Sequence, residues 1–220
     1  MAEVTAVLVK DLRDKTGAGM GDCKKALVES EGNVEKAIDW LRQKGISTAA
    51  KKASRAATEG AVGSYIHMGG KIGVIVEINC ETDFTARNEK FQALVKDVAM
   101  HIAAANPQYV RRGEVASDIV DREREVMRSQ LKEQGKPEAM WEKIIPGKLD
   151  KFFREICLEE QIFVKDPEGK KSIGDLVKDH VATIGENLTI RRFARFALGE
   201  GLEKKQTDFA AEVAAVVGQA

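Results

Sequence analysis

The sequence predicts an α+β protein built from several modules, on three observations. Short amphipathic segments with helical spacing fill the first 45 residues, and two alternating apolar stretches meet at Gly69-Gly70. A long, densely charged stretch then carries two narrow apolar seams joined by Gly135-Lys136-Pro137. A length of 220 residues suffices for one sizeable core plus a small accessory module.

Each element has a local reason. Val4, Val7, Leu8 and Leu12 recur at helical spacing behind Thr5, a residue type that caps helices, and Thr16-Gly17-Ala18-Gly19 breaks the run. A second helix is expected from about Gly21 and Asp22, with Cys23, Ala26 and Leu27 on its apolar face. Asn33 should cap a third, carrying Val34, Ala37, Ile38 and Leu41, with Gly45 as its stop. Helices of about ten residues are marginal alone, so the three should pack as a bundle over residues 1–45. Residues 46–60, rich in Ala, Ser and Lys, suit a helical or partly flexible linker.

Core text spans 61–200. Val62, Ser64, Ile66 and Met68 alternate, and Gly69-Gly70 should turn the chain into a second strand, Ile72 to Ile78. A helix is expected from Asn88 to Ala105, ended by Asn106-Pro107. Between about 112 and 160, Ile119, Val120, Val126, Met127 and Leu131 form one seam. Met140, Ile144, Ile145, Leu149, Phe152 and Ile156 form another, which predicts an inserted antiparallel helical hairpin with Pro146 kinking its second arm. After the turn Asp166-Pro167-Glu168-Gly169 comes a helix from Ser172 to Thr183, stopped by Gly185. Asn187 to Leu198 reads as a return strand that would complete a three-stranded antiparallel sheet. A C-terminal module, 201–220, holds a short helix begun by Thr207-Asp208-Phe209.

Composition narrows the function. Lys plus Arg and Asp plus Glu each number 35, a balance that argues against nucleic acid as the main partner, since phosphate binding draws on a basic surface. Basic pairs such as Lys51-Lys52, Arg111-Arg112 and Arg191-Arg192 suit solvated faces. The N-terminus lacks a secretory pattern, and no window approaches a membrane span. Three widely spaced cysteines, Cys23, Cys80 and Cys157, read as free thiols in a reducing, cytoplasmic setting.

No constellation for covalent chemistry, metal or cofactor emerges. His67, His101 and His180 lie far apart, and neither a nucleophile elbow nor a phosphate loop is present. Gly17-Ala18-Gly19-Met20-Gly21 follows a helix rather than a strand, so it is no dinucleotide loop. The segment that stands out is Asn79-Cys80-Glu81-Thr82-Asp83-Phe84, between the strongest strand and the strongest helix. In one reading Thr82 caps a short helix, Asp83 favours its positive end and Phe84 is core; in the other the junction projects toward a partner. Residue chemistry alone leaves both open.

Four segments resemble the elongation factor Ts family: Leu12 to Leu27, Glu77 to Asn88, Ile184 to Arg192, and Thr207 to Val213, in order along essentially the whole chain. The resemblance implies a ubiquitin-associated-like bundle, an α+β core, a coiled-coil hairpin and a C-terminal helix. It implies a guanine-nucleotide exchange factor, not an enzyme of covalent chemistry, acting on the GTPase elongation factor Tu. By motif, Asp83 and Phe84, led by Thr82, enter the GTPase near its magnesium site, while Leu12, Met20, His67, Ile184 and Gly185 match further partner-facing positions. Long members carry two copies of the core half and this chain carries text for one, which implies a homodimer through hairpin or core. The reading from another class is an adaptor or chaperone that binds through the bundle without altering nucleotide release.

Overall fold

A computed structural model describes residues 4–202, so the helix expected near 207–217 lies outside the described residues. The first three helices are α1 (Ala6–Thr16), α2 (Met20–Glu29) and α3 (Val34–Lys52). Their ends follow from local chemistry. The Thr5 hydroxyl accepts from the Leu8 N–H at 3.3 Å, the Asn33 side chain accepts from the Lys36 N–H at 3.0 Å, and Gly17 closes α1 in the left-handed region at φ 68°. Val9, Leu12, Cys23, Ala26, Leu27 and Ala37 form the core between them.

Gly45 does not stop the third helix. It is buried inside α3, which continues two further turns to Lys52. A Cβ on Gly45 would stand 3.2 Å from the Ala182 Cβ, so the glycine lets α3 lie close against α8 (Ile173–Ile184). Tertiary packing there outweighs the cost of about 1 kcal/mol for an interior glycine relative to alanine.

The sheet is β1 (Glu59–His67), β2 (Ile72–Cys80) and β3 (Thr189–Ala197), all antiparallel with β2 in the centre. Its alternation is clear on β2, where Val74, Val76, Ile78 and Cys80 point inward. They meet α5 (Glu89–Ala105), whose Phe91, Leu94, Val95, Val98 and Ile102 are buried. Gly63 sits where α5 crosses β1; a Cβ there would fall 2.2 Å from Val95 Cγ1. The opposite sheet face leaves Val62, Ile66, Ile75 and Phe196 exposed. His101 is buried beside this core with a fixed tautomer: Nδ1 accepts from the Val164 N–H at 3.3 Å, so Nε2 donates to Gln161 Oε1 at 3.1 Å.

α6 (Ser117–Glu133) and α7 (Trp141–Ile156) pack on one another through Met127, Leu131, Ile145 and Leu149. Val126, expected in this seam, is exposed instead. α7 runs on through Pro146, which lies in its second turn. At the base of the pair Arg112 donates to Asp150 at 2.7 Å and to Glu160 at 2.6 Å, with its guanidinium 4.6 Å from the Phe153 ring centre. Among the described residues no helix is long and apolar enough to cross a membrane.

Candidate functional site

The site begins where β2 runs out. Beyond the buried Cys80 the chain turns through Glu81 and Thr82 into a single helical turn, α4 (Asp83–Ala86), before Asn88 caps α5. The Thr82 hydroxyl accepts from the Thr85 N–H at 3.3 Å, as a cap should. Thr85 is buried and Ala86 packs against the core, which fixes the inward face of α4. The helical step of about 100° then sends Phe84 the other way. Its ring is 80% exposed. Of the reading in which Thr82 caps a helix and Phe84 is core, the capping half therefore holds, whereas the core half does not.

Burying such a ring is worth about 1.5–3 kcal/mol, and that free energy is unused in the isolated chain. Asp83 lies beside it, its carboxylate 3.0 Å from Arg87 across one turn. Both partners are well exposed, so the pair holds the acid only weakly. Beneath them Cys80 donates to the Thr82 carbonyl at 3.1 Å, and burial, reinforced by the nearby Glu186 charge, pushes its thiol up to about 11. It is protonated at neutral pH and inert as a nucleophile.

A second segment holds this corner. Gly185 ends α8 with φ 92°, and the next residue, Glu186, reaches across to the β2–α4 turn. Its Oε2 accepts from the Glu81 and Thr82 N–H groups, each at 3.0 Å, and its Oε1 accepts from the Thr82 hydroxyl at 2.7 Å. Burial opposes ionisation of Glu186, but hydrogen bonds from Thr82 and Thr85 outweigh it and hold the carboxyl below its ordinary range. Glu81 returns the contact, accepting from the Asn187 N–H at 2.7 Å. The end of α3 joins in: Lys52 donates to the Gly185 carbonyl, and the Asn187 side chain donates to the Arg55 carbonyl at 2.8 Å.

The structure gathers most of the sequence-derived positions on this side. Ile184 and Gly185 adjoin the Thr82–Phe84 corner through Glu186. The α1–α2 turn faces the start of α5, where the Lys90 Nζ lies 4.0 Å from the place of a Gly17 Cβ. Met20 opens α2 at that turn and is 45% exposed. Leu12 is a correction: it is fully buried among the three helices and offers no surface of its own. His67 also stands apart. It pairs with Ile72 at the opposite end of the strands from Cys80, roughly 26 Å away for eight steps of about 3.3 Å. There its Nδ1 meets the Tyr65 hydroxyl at 3.1 Å.

Sequence reasoning missed Glu186, Glu81 and Asn187 as parts of this site. Among the described residues no group of His, Cys, Asp or Glu is arranged to hold a metal ion. Two of the basic pairs are ion-paired locally: Arg191 and Arg192 share the single carboxylate of Glu77 at 3.5 and 2.7 Å, while Arg111 faces Glu114 and Glu159 and Arg112 faces Asp150 and Glu160.

Comparison with known proteins places this chain in a family. Residues 3–200 match the family model described as elongation factor TS. A protein named elongation factor Ts from Geobacter sulfurreducens is 62% identical over 215 residues, covering 98% of this chain and 99% of that protein. Another of that name, from Geobacter metallireducens, is 63% identical over 215 residues with the same coverage. One from Anaeromyxobacter dehalogenans strain 2CP-C is 63% identical over 218 residues, 99% of each.

Proposed function

The chain belongs to the elongation factor Ts family, and on that premise we propose that it is a cytoplasmic guanine-nucleotide exchange factor that speeds GDP release from elongation factor Tu. The observation that carries this reading is Phe84, an aromatic ring held out at the end of a braced strand, with Asp83 beside it. An exposed apolar side chain is ordinary in itself. One that is aimed outward by a buried neighbour, a cap and a cross-chain carboxylate is presented.

The mechanism is a wedge. Inserting the ring between elements of the GTPase recovers the burial energy of about 1.5–3 kcal/mol only if those elements part. The Asp83 carboxylate then enters the network of water and side chains around the partner's magnesium ion, which helps hold the β-phosphate. Nucleotide affinity falls, and by linkage the factor is bound less tightly by the same ratio when GDP returns. Couplings of this kind run about 1–3 kcal/mol, or 5–150-fold, and an efficient exchanger belongs at or beyond the upper end. No covalent bond changes.

Other modules have parts in the same reading. Residues 1–45 form a ubiquitin-associated-like module whose turn at Gly17 to Met20 meets the GTPase, and His67 and Ile184-Gly185 supply further contacts. The core, 61–200, carries the coiled-coil hairpin at 112–160. Residues 46–60, whose first part is the end of α3, join bundle to core. A homodimer completes the partner surface that the single core copy leaves short. Its seam is the exposed sheet face bearing Val62, Ile66, Ile75 and Phe196, because the hairpin already buries Met127, Leu131, Ile145 and Leu149 within itself and leaves only scattered apolar residues outside. Light scattering across micromolar concentrations should then show a mass near twice 24.1 kDa, and a constant monomer mass would overturn the dimer.

The test of the exchange function is release of a fluorescent GDP from purified elongation factor Tu, with and without the chain. Strong acceleration is expected. Binding without acceleration would favour the adaptor or chaperone reading instead.

A further inference from the structure

We propose that Glu186 is the positioning residue of the exchange corner: it does not form the wedge but sets it before the partner arrives. The inference rests on reading Phe84 and Asp83 as the docking pair.

A turn between a strand and a one-turn helix has little to hold it. α4 has only four residues, too few to be stable by its own hydrogen bonds. At this turn the backbone N–H groups of Glu81 and Thr82 have left the ladder of β2 and precede the first helical bonds of α4. Glu186 satisfies both with one oxygen and takes the Thr82 hydroxyl with the other. That hydroxyl is itself the cap of α4, accepting from the Thr85 N–H, so the carboxylate also orients the cap. Glu81 reciprocates through the Asn187 N–H, which locks the two segments in register although they lie more than a hundred residues apart. Three bonds to one carboxylate are of the charge-assisted kind, roughly twice as strong as neutral ones.

Preorganisation has a distinct kinetic signature. If the corner is loose in the free chain, binding must first order it, so the half-saturating concentration rises; once bound, the ring sits in the same place and the maximal rate is kept. A residue that itself pushed on the GTPase would lower the maximal rate.

The experiment compares full-length parent, Glu186→Ala, Glu186→Gln and Phe84→Ala by two measurements. In the free chain, amide hydrogen exchange at Glu81 and Thr82 should quicken roughly tenfold or more in Glu186→Ala, the size expected for losing bonds to a charged acceptor. In GDP release from elongation factor Tu, the same variant should raise the half-saturating concentration about tenfold and leave the maximal rate within about twofold. Glu186→Gln keeps the shape and one accepting oxygen, so a smaller shift in the same direction is expected; it also serves if the alanine variant melts. Unchanged amide exchange together with unchanged half-saturation overturns the proposal, as does a fall in maximal rate without faster amide exchange. Phe84→Ala separates the two levels. If it exchanges nucleotide like the parent, the docking reading falls, whereas the amide measurement on the free chain still decides whether Glu186 holds the corner.

Discussion

At the scale of single residues, the site turns on how a few side chains are aimed, and two titrating groups make this measurable. Glu186 is held below its ordinary carboxyl range in the folded chain, so its contribution is present above the unfolded value of about 4.5 and disappears as pH falls through the folded one. The melting temperature of the parent should exceed that of Glu186→Ala at neutral pH, with the gap closing in acid; a gap constant down to pH 3 would contradict the assigned hydrogen bonds. His101 behaves in the opposite chemical sense but with the same pH direction. Burial lowers its pKa, opposed by the bond to Gln161, and its Nδ1 is occupied as an acceptor from Val164. The unfolded chain therefore binds a proton more readily, and stability should fall as pH drops below about 6.5. In His101→Gln the loss between pH 7 and 5.5, followed by urea unfolding, should be shallower than in the parent. An equal slope would remove the histidine from the account.

At the scale of elements, close approach explains what periodicity did not. Gly63 is the point where α5 crosses β1, and a methyl group there would fall inside the van der Waals shell of Val95. Gly63→Ala should destabilise by about 1–3 kcal/mol in urea melts. Combining it with Val95→Ala should cost less than the sum of the single changes, since the cavity left by one admits the other. Strict additivity would mean that helix and strand do not touch there. The caps at Thr5, Asn33 and Thr82 were legible, because a cap is a bond within three residues of its own position. So were the central strand and the turn at Gly69-Gly70. Gly45 was misread for a physical reason: a glycine that ends a helix and one that admits a neighbouring helix look the same in sequence, and only Ala182, far along the chain, distinguishes them. Glu186 was illegible on the same ground, since its partners lie 104 and 105 residues away. Phe84 fell between these cases. Its setting at the strand end was visible, but its direction depended on which neighbours α4 buried.

At the scale of the whole molecule, α3 is the strut that joins the N-terminal bundle to the core. Its last turns lie against α8, and its end contacts the Gly185–Asn187 loop that braces the exchange corner. One continuous helix thus ties the bundle to the loop that holds the Thr82–Phe84 corner. Gly45→Leu, which forces α3 away from Ala182, should weaken binding to the GTPase by about tenfold while circular dichroism keeps its helical signal; unaltered affinity would show that the bundle's placement is set elsewhere. The most direct measurement of the central claim is the maximal rate of GDP release from elongation factor Tu at saturating Phe84→Ala, with complex formation confirmed by mass. A drop of at least tenfold with the complex intact is expected, because in the proposed mechanism burial of the ring holds the nucleotide pocket open. A maximal rate equal to that of the parent would contradict it.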